Sequence, residues 1–416
     1  MFSFLRDYRY ISKAVLLIIL AEFFIQFVNA TFMNLQPLYM KAEGFTDPQI
    51  ADIISWRFAG VLLLALPLGI WIRGKRVRNL FYASSVGVPL FGLLIILCTH
   101  LRLEFPLLIA QFLWGASFSF IQIAIIPFVL RNLPAEQHTP AIVLSTATWS
   151  FAGIASAVMV WILNSANPVL FSERNMMTIV SIMAFAGIFC VRAAKLIENT
   201  NEQVKIDSVR SYDWKLILKA LLPALVIATG AGLTIPFINL FFSRVHDLPT
   251  NTISLWNFAA ALLVAFAGLL VPRIKNRFGY TLAIPITQSL AVLALILLAT
   301  TEWYAELSIA AGVAIGCYML RQPLMNMAGP MTSEIGMKYV GKKNQEMTSA
   351  LISAVWSGSW FISTRFIFGN LRETGWPYVS IFLITAAMYA VGVLLYVLLI
   401  RSYNLRVRSG EISEEK

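Results

Sequence analysis

Apolar runs of membrane-spanning length recur twelve times along the 416-residue chain, separated by short polar links. An α-helix needs roughly 20 apolar residues to cross the hydrocarbon core of a bilayer. The runs that meet this length, numbered here as spans 1 to 12, are 14–40, 48–72, 79–99, 105–130, 140–163, 175–194, 215–242, 252–272, 281–300, 306–333, 346–369 and 377–400. The pattern predicts an all-α polytopic membrane protein with twelve transmembrane helices.

Basic residues accumulate in every second link. With the N-terminus inside, 24 of the 32 Lys and Arg lie on inner ends and links, and three lie within spans: Arg57, Arg321 and Arg365. The outer links hold the other five, which are Lys41, Arg102, Arg174, Arg244 and Arg372. The positive-inside rule therefore predicts a multi-pass protein of the cell (plasma or inner) membrane with both termini cytoplasmic.

Composition excludes a soluble globule, since 58% of residues are hydrophobic, 13% are charged and the mean hydropathy is +0.74. A net charge of +11 suits nucleic acid as well as lipid headgroups, but no basic stripe with interleaved aromatics falls on a polar segment. We expect the lipid bilayer as a partner and no nucleic acid. The three Cys and three His are scattered, which predicts no disulfide framework, no metal site and no cofactor.

The longest inner link is polar, carries both signs of charge and separates six spans from six spans. We expect an N-terminal six-helix bundle at 1–195 and a cytoplasmic linker at 196–214. A C-terminal six-helix bundle at 215–402 and a cytoplasmic tail at 403–416 complete the predicted organisation.

Sequence features recur in the same order in the two halves, at offsets between 199 and 207 residues. They are Phe32-Met33-Asn34-Leu35 with Phe237-Ile238-Asn239-Leu240, Gly69 with Gly268, Pro127 with Pro330, and Trp149-Ser150 with Trp356-Ser357. Such echoes indicate two pseudo-symmetric bundles in parallel repeat, an arrangement found in one large class of transporters, where the solute site lies near the bilayer midplane.

The link after span 2 begins at Gly69 and contains a basic cluster that includes Arg73 and Arg76. This arrangement resembles the signature of the major facilitator superfamily, although Arg73 occupies the acidic position of that signature. The second copy runs from Gly268 to the Arg277-Phe278-Gly279 ending, again without the acid. The missing acid leaves two roles open for these basic residues, a charge relay between helix ends or lipid anchoring.

Two further positions depart from this family's drug antiporters. Gln111 stands where span 4 often carries an arginine, and 151–156 in span 5 has no proline. The resemblance thus implies the twelve-helix fold and transport by alternating access. The two departures argue against multidrug efflux.

A polar stripe follows span 1. Glu22, Gln26, Asn29, Met33 and Gln36 are spaced by four, three, four and three residues, so they share one helix face. Such a face must meet the bundle interior or water. Glu22 is the one acid deep within a span and is a candidate proton carrier. The alternative is a permanent ion pair with Arg57, which by counting from the helix ends lies within about one turn of the same depth.

Other candidate solute contacts lie on spans 4, 10 and 11. Arg321, followed by Gln322 and Pro323, is near the middle of span 10 with no acid at that depth, so it is assigned either to an anionic solute or to a structural bond. Trp356 and Trp360 share a face of span 11 with Ser349, Ser353 and Thr364, while Gln111 begins a weaker stripe on span 4. The predicted solute site is Gln26, Asn29, Arg57, Gln111, Arg321, Gln322, Trp356 and Trp360.

Nothing in the sequence matches an ATP-binding loop or a catalytic triad. We therefore expect a monomeric secondary transporter of a small organic solute, anionic or zwitterionic, with possible coupling to protons. The alternatives are an exporter of amphipathic compounds or drugs and a non-transporting sensor on the same fold. A lipid-modifying enzyme is disfavoured because the histidines are isolated.

Overall fold

A computed structural model describes residues 11–72, 75–194, 212–341 and 344–409. These ranges contain helices and turns and no β-strand. In the first half the helices are Lys13–Ala42, Asp47–Trp71, Arg78–His100, Glu104–Asn132 and Ala135–Ala166, and span 6 comprises Glu173–Ala184 and Ala186–Ala193. Ser12 caps the first helix by accepting a hydrogen bond from the Val15 amide.

Irregular geometry interrupts several helices of the second half. Span 7 comprises Trp214–Thr234, a 3₁₀ turn at Ile235–Phe237, and Ile238–Val245, and Asp213 caps its start. Span 10 is Ala310–Val340 and span 12 is Tyr378–Arg408. Span 11 comprises Gln345–Ile362, a π-helix at Ser363–Phe368, and Gly369–Glu373.

Spans 8 and 9 form one helical run, Thr250–Thr300, followed by a 3₁₀ turn at Thr301–Tyr304. The run is broken at Gly279, whose φ of 61° and ψ of 177° are open essentially only to glycine. Gly279 of the second signature copy therefore forms the turn between the two spans.

Nine helices within the described ranges are long and apolar enough to cross a membrane. One of these, Thr250–Tyr304, has 55 residues and contains both span 8 and span 9. Spans 10 and 11 are helical but are not among the nine. The helices are consistent with the twelve predicted spans.

The chain divides into two compact units. One contains spans 1 to 6 together with Pro249–Leu255, and the other contains span 7 and the chain from Trp256 onward. In the first, span 1 packs against spans 3, 5 and 6, and span 2 packs against span 4. In the second, span 7 packs against spans 10, 11 and 12. The predicted linker falls mostly on 195–211, outside the described residues, and its boundaries stay a prediction.

Each unit has an aromatic core. Phe32, Phe81, Trp114 and Phe128 are fully buried in the first unit, and Phe237, Phe241, Phe368 and Phe382 are fully buried in the second. Phe32 and Phe237, which are counterparts in the sequence repeat, both belong to these cores. Trp149 and Trp356, another repeated pair, are both exposed.

Candidate functional site

The polar stripe of span 1 is buried in the N-terminal unit. Glu22, Gln26, Asn29 and Gln36 are all less than a tenth exposed. Glu22 Oε2 accepts a hydrogen bond from Ser145 Oγ of span 5 at 2.6 Å. The predicted stripe therefore faces neighbouring helices, with a carboxyl group held by a neutral hydroxyl.

Arg57 and Glu22 do not form an ion pair, which corrects that alternative. Arg57 Nη2 donates instead to Gln36 Oε1. Glu22 lies twenty residues before Ala42, whereas Arg57 lies only ten residues after Asp47, where the antiparallel helix begins. The two side chains are therefore at different depths, since Gln36 is about 21 Å along the helix axis from Glu22 at 1.5 Å per residue.

An aromatic stack supports the Arg57 guanidinium. Its central carbon lies 4.3 Å from the ring centroid of Trp114, a cation–π contact. Trp114 stacks with Phe32 and with Phe118, at centroid distances of 6.1 and 5.4 Å. Phe118, seven residues after Gln111 on span 4, thus belongs to this stack.

Glycines bring spans 2 and 4 into backbone contact beside Arg57. A Cβ on Gly115 would lie 2.0 Å from the Arg57 carbonyl oxygen, and a Cβ on Gly60 would lie 2.2 Å from the Phe112 carbonyl oxygen. Only hydrogen fits at either position, so the backbone that carries Arg57 is fixed against span 4.

Amide atoms of two glutamines of the predicted site are buried and have no hydrogen-bond partner among the described residues. These atoms are Oε1 of Gln26 and both Oε1 and Nε2 of Gln111, and Gln111 is fully buried. A buried amide that lacks a partner is costly. A polar ligand or water that reached either amide would therefore remove an energetic cost.

Arg321 is 2% exposed in the C-terminal unit and has one weak hydrogen bond. Its Nη2 donates to Tyr389 Oη at 3.4 Å, its central carbon lies 5.9 Å from that ring's centroid, and its Nε has no partner. No ion pair to Arg321 is found among the described residues. The next residue, Gln322, is half-buried, and its carbonyl oxygen accepts from Asn326.

A chain of neutral polar groups lies one helical turn from Arg321. Tyr318 Oη donates to Asn257 Oδ1 at 2.7 Å, and Asn257 Nδ2 donates to Asn239 Oδ1 at 3.2 Å. Sequence reasoning missed these residues and Tyr389 as site residues. Asn239 carried a signal, because it belongs to a repeated tetrapeptide, whereas Tyr389 is one of three tyrosines in the apolar run of span 12 and has no such signal.

The two ends of the predicted face of span 11 lie in different surroundings. Trp356 is 37% exposed and lies 6.4 Å, between ring centroids, from the half-buried Trp360. Thr364, at the other end, donates to the Gly232 carbonyl oxygen of span 7 at 3.1 Å. A Cβ on Gly232 would lie 2.0 Å from Ser363 Oγ, so this end of the stripe is close helix packing.

The comparison with known families decides the identity of the fold. The model of the Major Facilitator Superfamily matches residues 18–364, which is most of the chain. The chain belongs to the Major Facilitator Superfamily. Membership places it among membrane transporters rather than enzymes.

Solved transporter structures share this Major Facilitator fold. A D-xylose–proton symporter is 12% identical, with a TM-score of 0.75 and coverage of 93% of this chain and 97% of its own. A nucleoside transporter is 10% identical, with a TM-score of 0.74 and coverages of 93% and 99%. A POT family peptide transporter is 11% identical, with a TM-score of 0.71 and coverages of 94% and 97%. The search of curated proteins found no match.

In the first signature copy, Gly69 has no neighbour against which a Cβ would pack, Arg76 is exposed, and Arg73 lies outside the described residues. Arg131, at the end of span 4, donates to the carbonyl oxygens of Ile72 and Lys75 at 3.0 and 2.8 Å. The link is therefore held to span 4 through its backbone.

An ion pair in the second signature copy bears on the two roles that the sequence leaves open for its basic residues. Lys275 Nζ lies 2.7 Å from both carboxylate oxygens of Glu334, one residue beyond span 10, and Lys338 Nζ lies 3.2 Å from one of them. Partial burial disfavours the charged carboxylate, but the hydrogen bonds from these lysines outweigh it and lower the Glu334 pKa. Lys275, just after span 8, is thus joined to the end of span 10 by an ion pair.

The other two positions of this copy have simpler surroundings. Gly268 has open space around it, and Arg277 lies 5.4 Å from the ring centroid of Phe278. No group of three or more metal-ligating side chains occurs among the described residues.

Proposed function

We propose that this Major Facilitator protein is a secondary transporter that moves a small organic anion or zwitterion across the cell membrane by alternating access. It acts as a monomer with both termini in the cytoplasm. The observation that carries the proposal is the pair of buried arginines, Arg57 and Arg321, neither of which has a carboxylate partner in the described part of the chain.

The charge of these arginines supports an anionic solute. A guanidinium stays protonated in proteins, so it cannot relieve its burial by losing a proton. An uncompensated charge within a membrane costs at least about 2.5 kcal/mol and is retained where it has a function. A negatively charged solute that reaches a guanidinium would remove this cost.

A charge-resolved ligand screen tests the proposal. A metabolite extract is separated by ion exchange into anionic, neutral and cationic pools, and thermal unfolding of the purified protein is followed with each pool. A bound ligand stabilises the native state by about 2.7 kcal/mol at 100 times its dissociation constant. We expect the anionic pool, or a zwitterion recovered from the neutral pool, to raise the melting temperature. Stabilisation by neutral or cationic amphipathic compounds alone would favour the exporter instead.

Proton coupling through Glu22 is the second part of the proposal. Its carboxyl group is buried, and Ser145 is its one hydrogen-bond partner in the described residues. A neutral partner allows the carboxyl group to change protonation without breaking an ion pair. The solute would then travel with a proton carried on Glu22.

Uptake into proteoliposomes as a function of pH tests this role with Glu22→Gln and, as the matched control, Ser145→Ala. We expect Glu22→Gln to abolish the pH dependence of uptake and Ser145→Ala to shift it while preserving it. A pH dependence that survives unchanged in Glu22→Gln would refute coupling through this residue.

A further inference from the structure

The two buried arginines differ in how firmly each guanidinium is held. Arg57 donates to the Gln36 amide oxygen and lies 4.3 Å from the centroid of the buried Trp114 ring. Its backbone also contacts Gly115 so closely that a Cβ would not fit. Arg57 therefore joins spans 1, 2 and 4 through contacts that a moving solute would have to break.

Arg321 has much weaker contacts. Its one hydrogen bond, to Tyr389 Oη, is long at 3.4 Å, and the ring centroid of Tyr389 is 5.9 Å from its central carbon. Both arginines have an Nε without a partner, so the difference lies in the rest of the guanidinium. A charge-assisted hydrogen bond ordinarily measures 2.7–2.9 Å between donor and acceptor. Arg321 is held well short of its bonding capacity.

The groups around Arg321 define the charge of a suitable ligand. Tyr389 contacts Arg321 directly, and Tyr318, one helical turn before Arg321, is hydrogen-bonded to Asn257 and through it to Asn239. These groups are hydroxyls and amides, and none of them is a cation. One guanidinium balances one negative charge, whereas a phosphate ester dianion would leave a charge uncompensated. Nε–H and Nη–H of a guanidinium also donate in parallel to the two oxygens of a carboxylate.

We propose that Arg321 is the group that binds the carboxylate of a monoanionic or zwitterionic solute, with the Tyr389 hydroxyl as a second donor, and that Arg57 is structural. The proposal rests on the anion-transport function proposed above and assigns the solute contact to one arginine. In the absence of solute, the Tyr389 hydroxyl accepts a hydrogen bond from the guanidinium, and this bond is weak enough for a carboxylate to displace it.

Saturation-transfer NMR titrations of the purified full-length chain test this assignment. The probes are acetate and benzoate, their neutral isosteres acetamide and benzamide, and phenyl phosphate as a dianion. We expect wild type to bind the carboxylates more tightly than the amides or phenyl phosphate. Arg321→Gln should weaken carboxylate binding about 10- to 100-fold, the range for loss of hydrogen bonds to a charged group, and Tyr389→Phe about 5-fold. Arg57→Lys should retain it.

Thermal unfolding without ligand provides a second readout that needs no solute. Arg321→Gln removes a poorly paired buried charge and should melt at or above the wild-type temperature. Arg57→Gln breaks the contacts among spans 1, 2 and 4 and should melt below the wild-type temperature. Arg57→Lys is therefore the Arg57 variant used in the binding titrations. A large loss of stability in Arg321→Gln, with carboxylate binding retained, would overturn the assignment.

The outcomes separate this assignment from the proposed function. Carboxylate binding that depends on Arg57 and is indifferent to Arg321 would leave anion transport standing and refute the assignment. Binding of the neutral amides alone, with no charged probe bound by wild type, would refute the assignment and the anionic solute together.

Discussion

Gln36 and Gln111 are both fully buried in the N-terminal unit, but they differ in what their amides contact. Gln36 accepts a hydrogen bond from the Arg57 guanidinium, whereas neither amide atom of Gln111 has a partner. The first amide is part of the structure that holds Arg57. The second is an unsatisfied polar group that the fold tolerates at a cost of about 1–3 kcal/mol.

Replacing each glutamine by methionine, which has a similar volume, should therefore change stability in opposite directions. Gln111→Met removes an unsatisfied amide and is expected to raise the free energy of unfolding by about 1 kcal/mol. Gln36→Met leaves a buried guanidinium without its acceptor and should lower it by about 1–3 kcal/mol. Melting temperatures of the two purified variants check this. Equal destabilisation by both would show that Gln111 has a structural partner.

Sequence periodicity predicted which face of span 1 is polar and which residues lie on it, because helical spacing depends only on the chain itself. It did not predict the partners. The depth of Arg57 was judged from the ends of apolar runs, and that error led to the incorrect pairing with Glu22. Tyr389 reaches Arg321 from a span 68 residues further along the chain, a contact that no local pattern encodes.

Contacts between helices depend on glycines at particular positions. Gly115 and Gly60 allow spans 2 and 4 to meet at backbone distance, whereas Gly153 on span 5 has open space where a Cβ would lie. All three occur in apolar helices, and the sequence does not distinguish them. Their roles follow from the neighbouring helix.

Alanine at Gly115 should therefore be far more harmful than alanine at Gly153. Gly115→Ala places a methyl group against the Arg57 carbonyl oxygen, and overpacking of this kind typically costs about 1–3 kcal/mol. Gly153→Ala should be neutral or slightly stabilising, since alanine is the better helix former. Expression level and melting temperature in detergent compare the two. Similar behaviour of both variants would contradict the close contact of spans 2 and 4.

The Glu334 cluster joins the second signature copy to the end of span 10 and gives a stability that depends on pH. Its lysines lower the Glu334 pKa, so the ion pairs stabilise the fold at neutral pH. That contribution is lost as the pH falls through the lowered pKa, below the ordinary glutamate value of about 4.3. The carboxylate is more than a third exposed, which limits the contribution to at most about 1 kcal/mol.

Glu334→Gln should therefore melt slightly below wild type at pH 7 and approach it at an acid pH below the lowered pKa of Glu334, where Glu334 in wild type is protonated. The exposed Glu306, changed to Gln, is the matched control and should match wild type throughout. A difference between Glu334→Gln and wild type that is the same at both pH values would exclude the ion pairs as its source.

The breaks inside spans 7 and 11 show a limit of sequence reasoning at the scale of elements. Pro236 lies in the 3₁₀ turn at Ile235–Phe237, whereas the π-helix at Ser363–Phe368 contains neither proline nor glycine and the apolar run continues through it. The two irregular segments contact each other, with Phe237 stacked on Phe368 at a centroid distance of 3.6 Å. Their geometry is set by packing between helices.

At the scale of the molecule, the number of apolar runs and the repeated residues predicted the fold class and the family correctly. Both properties are distributed over the whole chain, so single exceptions such as the missing acid at Arg73 do not obscure them. The solute is specified by a few side chains, and their combination becomes visible only in the folded units. Each unit contains one buried arginine within its described residues, and we assign the solute's carboxylate to the one in the C-terminal unit.

Untargeted efflux from proteoliposomes tests anion transport most directly. Vesicles are loaded with a metabolite extract, and an outward-directed proton gradient, which favours efflux of a solute that travels with a proton, is imposed or omitted. Mass spectrometry then identifies the compounds that leave. We expect release of a small set of carboxylates from vesicles with wild-type protein, and none from empty vesicles or vesicles with Arg321→Gln. Release of only neutral or cationic compounds, or equal release by Arg321→Gln, would contradict it.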